Sequence, residues 1–257
     1  MSAILSEKEI EQFVLNGFIR IDNAFSKETA AAAVDILWRD IPFDRSDPST
    51  WTEPVIRLGM YRQQPFIDSL NNGRLHLIFD QLVGEDKWIP CQSVGTFPVR
   101  FPSVQPPRDI GKHVDASFAG SNPDNYLEWR VNVKSKGRAL LILVLYSDVS
   151  EKDAPTVIYE RSHRDVAKLL SNEGDSGLSF MDLAGKLNTL PKRKEVYATG
   201  KAGTVYLCHP FIVHSAQAHK GTTPKFMAQP PLLLKGALSI SDAAFSPLER
   251  AIRLALD

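Results

Sequence analysis

Cysteine is scarce: the 257-residue chain has two, Cys91 and Cys208, so no disulfide framework holds it together. Neither sign of charge is in excess, since Lys plus Arg number 30 and Asp plus Glu number 30. That balance argues against a nucleic-acid binder and against a polybasic protein of membrane surfaces. The longest strongly apolar run, residues 139–146, falls far short of the roughly 18 residues needed to span a bilayer. The opening, MSAILSEKEI, has no basic region followed by an apolar stretch, so no secretion signal is expected. Internal repeats, low-complexity blocks and long Gly/Ser linkers are also missing. What is present is ordinary globular material, 43% apolar and 23% charged, with 13 Phe and 4 Trp. A single cytoplasmic domain over residues 1–257 is the expectation.

The first third reads as helical. Ser6 and Glu9 have capping-box spacing, with Ile10, Phe13 and Val14 following at helical intervals. Residues 17–21 are short, β-branched and alternating, which predicts a strand. Ser26 to Thr29 opens a second helix over 30–38, rich in Ala. Residues 39–60 carry Pro, Asp, Ser and Thr and predict an extended loop. A further helix is expected over 65–83, with Asn71-Asn72-Gly73 as its break. From residue 87 the pattern changes to short β-type runs at 93–101, 139–146, 156–159, 203–208, 211–216 and 226–234. Such spacing predicts an all-β barrel or sandwich. The segment 102–111 is a loop because its prolines forbid a central strand, and 163–190 is a helical or irregular insertion.

Two His-x-Asp tripeptides occur where chance supplies roughly 0.4, so context has to separate them. His163-Arg-Asp165 stands at a helix start, where side chains two apart point about 200° apart and cannot share an ion. His113-Val-Asp115 follows the Pro-rich loop as the chain re-enters β structure, where side chains two apart share a face. Those two can offer an imidazole nitrogen and a carboxylate oxygen to one metal. Among His76, His163, His209, His214 and His219, His214 is the preferred third ligand because a β-type run and the apolar triplet Phe211-Ile-Val213 lead into it. His76 reads as a packed or surface residue of its helix, His209 as a strand-end residue, and His219 as exposed in a polar turn. Two His and one carboxylate form the facial site of non-haem Fe(II) oxygenases, which leaves positions open for co-substrate and O₂.

The order of these motifs resembles the phytanoyl-CoA dioxygenase-like family of Fe(II)- and 2-oxoglutarate-dependent oxygenases. The resemblance runs through Leu5-Ser-x-x-Glu-Ile-x-x-Phe-x-x-x-Gly17-Phe-Ile and the segment 145–164 around Ser162-His163. It continues through Gly203-Thr-Val-Tyr-Leu, Pro210, His214-Ser and Pro224-Lys225. It implies a mainly β fold with a helical N-terminal part. Residues 1–86 would be the helical support, and residues 87–257 a double-stranded β-helix (jelly-roll, cupin-like) core with the insertion near 163–190. It implies further that His113, Asp115 and His214 hold Fe(II) and do the chemistry. Lys225, eleven residues past the distal His, would grip the far carboxylate of 2-oxoglutarate as a point charge where the family has an Arg. Arg100 is similar to a basic residue that faces the co-substrate or substrate. Met227 stands where a helping hydroxyl is common, which leaves Thr96, Ser215 or Tyr206 to supply one. Lys112 and Arg161 are further departures from the pattern. Trp51, Trp88 and Trp129 read as packing residues.

The resemblance implies hydroxylation of a small-molecule substrate with release of succinate and CO₂. An Asp at 115, where halogenating relatives have a small residue, favours oxygenation or desaturation over halogenation. Two other readings stand beside it: a non-catalytic metal or small-ligand binder, and a hydrolase using Zn²⁺ at the same three ligands. The loop 39–60 and the insertion 163–190 are expected to line the mouth of the site. The sequence carries no signal for an oligomeric state.

Overall fold

The computed structural model describes residues 4–241 and 246–257. The chain opens with α1 (Glu7–Asn16), where the Ser6 side chain and Glu9 cap each other's backbone N–H groups. Gly17 ends this helix at φ +85°, and a Cβ there would lie 2.3 Å from Nδ1 of His163, so the position needs glycine twice over. After β1 (Phe18–Ile21) come α2 (Lys27–Leu37), capped by Ser26, then β2 (Val55–Leu58), α3 (Gln64–Leu70) and α4 (Gly73–Val83). The expected break between the last two is made by Asn72, whose side chain accepts from the Leu75 N–H. Leu75, Ile78, Phe79, Leu82 and Val83 form the buried stripe of α4.

Short strands follow: β3 (Trp88–Ile89), β4 (Phe97–Arg100), β5 (Arg130–Val131), β6 (Arg138–Leu145) and β7 (Val157–Tyr159). The insertion then supplies α5 (Ser162–Ser171), β8 (Leu178–Ser179) and α6 (Phe180–Lys186). The chain finishes with β9 (Glu195–Tyr197), β10 (Val205–Cys208), β11 (His214–Ser215), β12 (Met227–Ala228), β13 (Pro231–Leu234) and α7 (Pro247–Leu256).

The main sheet has the order β1-β10-β6-β13-β3, with β12 also on β6, and every pairing is antiparallel. A second sheet has the order β11-β7-β9, and β2 with β4 and β5 with β8 form two-stranded pieces. The centre is β6, all eight of whose residues are buried. Its alternation sends Leu140, Ile142 and Val144 into the core shared with the helices. Leu141, Leu143 and Leu145 face the other way, onto Ile158 of β7 and Ile212. A strand covered on both faces has no polar side, hence the unbroken apolar run. The shared core takes in Phe13, Leu37 and Phe79 from the helical part and Val205 and Leu232 from the sheet. No helix among the described residues is long and apolar enough to cross a membrane.

Several expectations need correction. The segment 39–60 is not loop throughout: β2 pairs with β4 from Val55↔Arg100 to Leu58↔Phe97, a partner distant in sequence that local propensity does not reveal. The run 226–234 splits into β12 and β13 around Gln229-Pro230, since Pro230 has no N–H for a ladder. The run 211–216 pairs only at 214–215.

Candidate metal centre

The Pro-rich loop delivers His113 to the edge of β11, where it pairs with His214 by main chain alone. The His113 N–H donates to the His214 carbonyl at 3.0 Å, and the His214 N–H donates back to the His113 carbonyl at 3.0 Å. This reciprocal bridge places the two rings 4.2 Å apart, centroid to centroid. Asp115, two residues on and on the same face, brings Oδ1 to 3.9 Å from His113 Nε2 and 3.8 Å from His214 Nε2. One ligand atom from each of the three lies within 4.8 Å of the others. Two donors bound at about 2.1 Å can stand at most about 4.2 Å apart, and both histidine–carboxylate separations fall inside that limit.

The chemistry of the donor set fits a divalent ion. His113 Nδ1 donates to the Gly111 carbonyl at 3.0 Å and His214 Nδ1 to the Ile212 carbonyl at 3.2 Å. A proton spent on a carbonyl at Nδ1 leaves Nε2 bare, the tautomer a metal requires. His214 Nε2 is buried and has no hydrogen-bond partner among the described residues. Burial, followed by the neighbouring His113, pushes the His214 imidazole down to about 4, so it stays neutral near pH 7. Burial alone would raise the Asp115 carboxyl, but Arg138 beside it, with the two histidines, turns the shift downward and keeps it ionised.

A cavity of about 700 Å³ opens over the two histidines of the triad. Its wall includes His113, His214, Arg100, Tyr126, Phe180 and Met227. The expected contributions to the mouth are both visible: Arg57 comes from the 39–60 stretch, and Phe180, Met181 and Ala184 from the insertion. Phe180 packs against the His113 ring at 5.8 Å and against Tyr126 at 5.4 Å. The Tyr126 hydroxyl accepts from the Ala116 N–H at 3.1 Å, beside the His-x-Asp turn. Sequence reasoning missed Tyr126 and Phe180, because each reaches the site only through tertiary packing of a short 3₁₀ turn and a seven-residue helix.

The other expected residues are placed as follows. Arg100 is buried on the cavity wall, and its Nη2 donates to Asp109 at 2.9 Å, with Arg57 on the same carboxylate. Lys225 is buried beside it: the Arg100 N–H donates to the Lys225 carbonyl at 3.1 Å, and the Lys225 N–H donates back at 2.8 Å. Its Nζ donates to the Ala154 carbonyl, and no carboxylate lies in ion-pair range among the described residues. Thr96 is exposed, and its carbonyl accepts from the Gln229 N–H, whereas Thr156 is buried on the cavity wall, where its hydroxyl donates to Met227 Sδ at 3.4 Å. Ser215 meets the Tyr159 hydroxyl at 3.2 Å, and Tyr206 donates to the Thr199 carbonyl, so neither hydroxyl is turned to the triad. His163 is buried with Nε2 on the Val14 carbonyl at 3.1 Å, and the His209 ring packs against it, tilted by 44°, at 5.0 Å. His76 packs on Trp88 from α4. His219, expected in the open, is 7% exposed, because its ring folds back so that Nδ1 accepts from the Gly221 N–H.

No family model matches the sequence, and no curated protein matches it. Solved structures do. SnoK, a non-haem α-ketoglutarate-dependent carbocyclase from nogalamycin biosynthesis, is 14% identical with a TM-score of 0.57, over 93% of this chain and 89% of its own. SnoN, an α-ketoglutarate-dependent epimerase from the same biosynthesis, is 16% identical with a TM-score of 0.57, over 89% and 82%. HygX from Streptomyces hygroscopicus, solved with nickel, 2-oxoglutarate and hygromycin B, is 16% identical with a TM-score of 0.53, over 88% and 86%. The chain therefore has the fold of non-haem 2-oxoglutarate-dependent oxygenases along nearly its whole length, with a His-x-Asp…His cluster in place.

Proposed function

We propose that the chain is an Fe(II)- and 2-oxoglutarate-dependent oxygenase that hydroxylates a small-molecule substrate and releases succinate and CO₂. The observation that carries this reading is the convergence of His113, Asp115 and His214, with both Nδ1 protons already committed to carbonyls. Those three residues would hold the iron, leaving positions that face the cavity. Iron with 2-oxoglutarate and O₂ supplies an oxidant able to cleave a C–H bond.

This chain's own residues do the rest. The bare Nε2 of His214 and the ionised Asp115 offer lone pairs without prior loss of a proton. Lys225 and Arg100, joined through their main chains, supply the cationic side for the second carboxylate of the co-substrate. Burial, followed by the nearby Arg100, pushes the Lys225 ammonium well down from its ordinary range, and an arriving anion relieves that penalty. Thr156, whose hydroxyl donates to Met227 Sδ, lies on the cavity wall, a place that Thr96, being exposed, does not fill. Tyr126 and Phe180 restrict water beside His113. The facing sheets are read as the halves of a double-stranded β-helix, and the shared core supports residues 1–257 as one domain. SnoK is a carbocyclase and SnoN an epimerase, so the same fold serves other outcomes; Asp115 speaks against halogenation, hydroxylation is the outcome the sequence resemblance implies, and the bound hygromycin B of HygX supports a small-molecule substrate.

Anaerobic addition of Fe(II) and then 2-oxoglutarate is expected to give a visible charge-transfer band. The band is lost in Asp115→Ala, and Lys225→Ala needs more co-substrate to reach it. Admission of O₂ with candidate substrates then yields succinate with Fe(II) and none with Zn(II). Metal binding without band or succinate makes the protein a non-redox binder, and hydrolysis sustained by Zn(II) makes it a zinc hydrolase.

A further inference from the structure

Arg138 opens β6 and is the one residue of that strand with a charged side chain. Its side chain is 9% exposed, and Nη1 donates to Asp115 Oδ2 at 3.1 Å. Asp115 is its sole ion-pair partner among the described residues, and its Nε is buried without a partner. The main chain around it is tied down: the Arg138 N–H donates to the Ser135 carbonyl at 3.3 Å, and Ser135 Oγ donates to the Arg138 carbonyl at 2.7 Å. A cation taken out of water at this cost is retained only where it is well paired.

The pairing divides the two carboxylate oxygens. Oδ1 is the atom that faces both imidazole Nε2 atoms, while Oδ2 is turned to the guanidinium. We infer that Arg138 is the positioning residue of the metal centre, holding Asp115 as a one-oxygen ligand by occupying its other oxygen. The inference rests on the metal reading of the triad given above. A carboxylate free at both oxygens can chelate through both and consume a second coordination position. Tied to Arg138, it leaves that position to the co-substrate. Removing the guanidinium also takes one positive charge from beside the site, which disfavours a dianionic co-substrate.

The test uses Co(II) as the probe on the full chain, read by its ligand-field spectrum and by titration. Arg138→Gln is expected to weaken Co(II) by about 10- to 100-fold and to shift the spectrum, with cooperative thermal unfolding retained. Arg138→Lys, which restores the charge without the planar fork, recovers part of the affinity while the spectrum stays shifted. Adding Arg138→Gln to Asp115→Ala weakens Co(II) no further, because the arginine acts through that carboxylate. Wild-type affinity and spectrum in Arg138→Gln overturn the inference and leave the metal centre standing. An equal loss with and without Asp115 overturns it too. If Arg138→Gln does not fold, Arg138→Lys decides, and a wild-type spectrum and affinity there count against the inference. A wild-type chain that takes up no Co(II) sinks the metal reading itself.

Discussion

At the scale of single residues, the second His-x-Asp pair shows how context decides a histidine's role. His163 sits at the start of α5, pressed against Gly17, with Nε2 on the Val14 carbonyl. Burial pushes its imidazole down from 6.5 to about 4, and His209 beside it moves the same way. Between those values the unfolded chain binds protons that the folded chain refuses, so stability falls as pH drops from 6.5 toward 4; above 6.5 this group contributes no pH dependence. His163→Gln keeps a donor for the Val14 carbonyl and removes the titration. Its Tm is expected to fall less steeply than wild type over that window, and an equal slope excludes His163 as the proton-linked group. The same residue scale separates what the sequence discloses from what it hides. His113, Asp115 and His214 were legible because strand periodicity constrains two of them and a local β signal marks the third. Tyr126, Phe180 and Arg138 were not, because nothing near them in sequence states what they face. His219 misled because a polar turn predicts exposure, while one hydrogen bond within the turn folds the ring inward.

Among the elements, capping chemistry was the most readable signal. Ser6 and Ser26 each accept a backbone N–H at the helix starts read from sequence, and Asn72, expected only within a break, caps α4 in the same way. The same code opens α7, where Ser246 and Glu249 form a full capping box with Pro247 at the first helical position, yet this helix went unassigned among the weaker signals after β13. Leu248, Ala251, Ile252 and Ala255 bury its apolar face, which packs on α1, α4 and α5. Ser246→Ala removes the cap and is expected to lower stability by about 1 kcal/mol, read as an earlier midpoint in urea unfolding. An unchanged midpoint would mean that packing alone holds the helix start. Strands were less readable than helices. β6 announced itself through its unbroken apolar run, whereas β2 is four residues long and exists because β4 lies beside it.

For the molecule as a whole, the layers explain why the general architecture could be read and the site only in part. A helical sheath over one face of β6 and a smaller sheet over the other follow from composition and periodicity. The register that brings residue 113 to residue 214 depends on contacts between distant segments. Since the triad is preformed, an ion that binds the folded chain and not the unfolded one raises stability by mass action, by about 2.7 kcal/mol at a hundredfold excess over its Kd. Differential scanning fluorimetry with Co(II) is expected to show a higher Tm for wild type and no rise for His214→Ala. A rise in both would place the ion elsewhere. The reciprocal main-chain bridge between His113 and His214 carries this one step further. Backbone hydrogen bonds, and not side chains, join the Pro-rich loop to β11 there, so the spacing of the two imidazoles is set by the fold itself. A hinge between that loop and β11 would spread the triad, so substitutions that loosen this main-chain bridge act on both imidazoles at once.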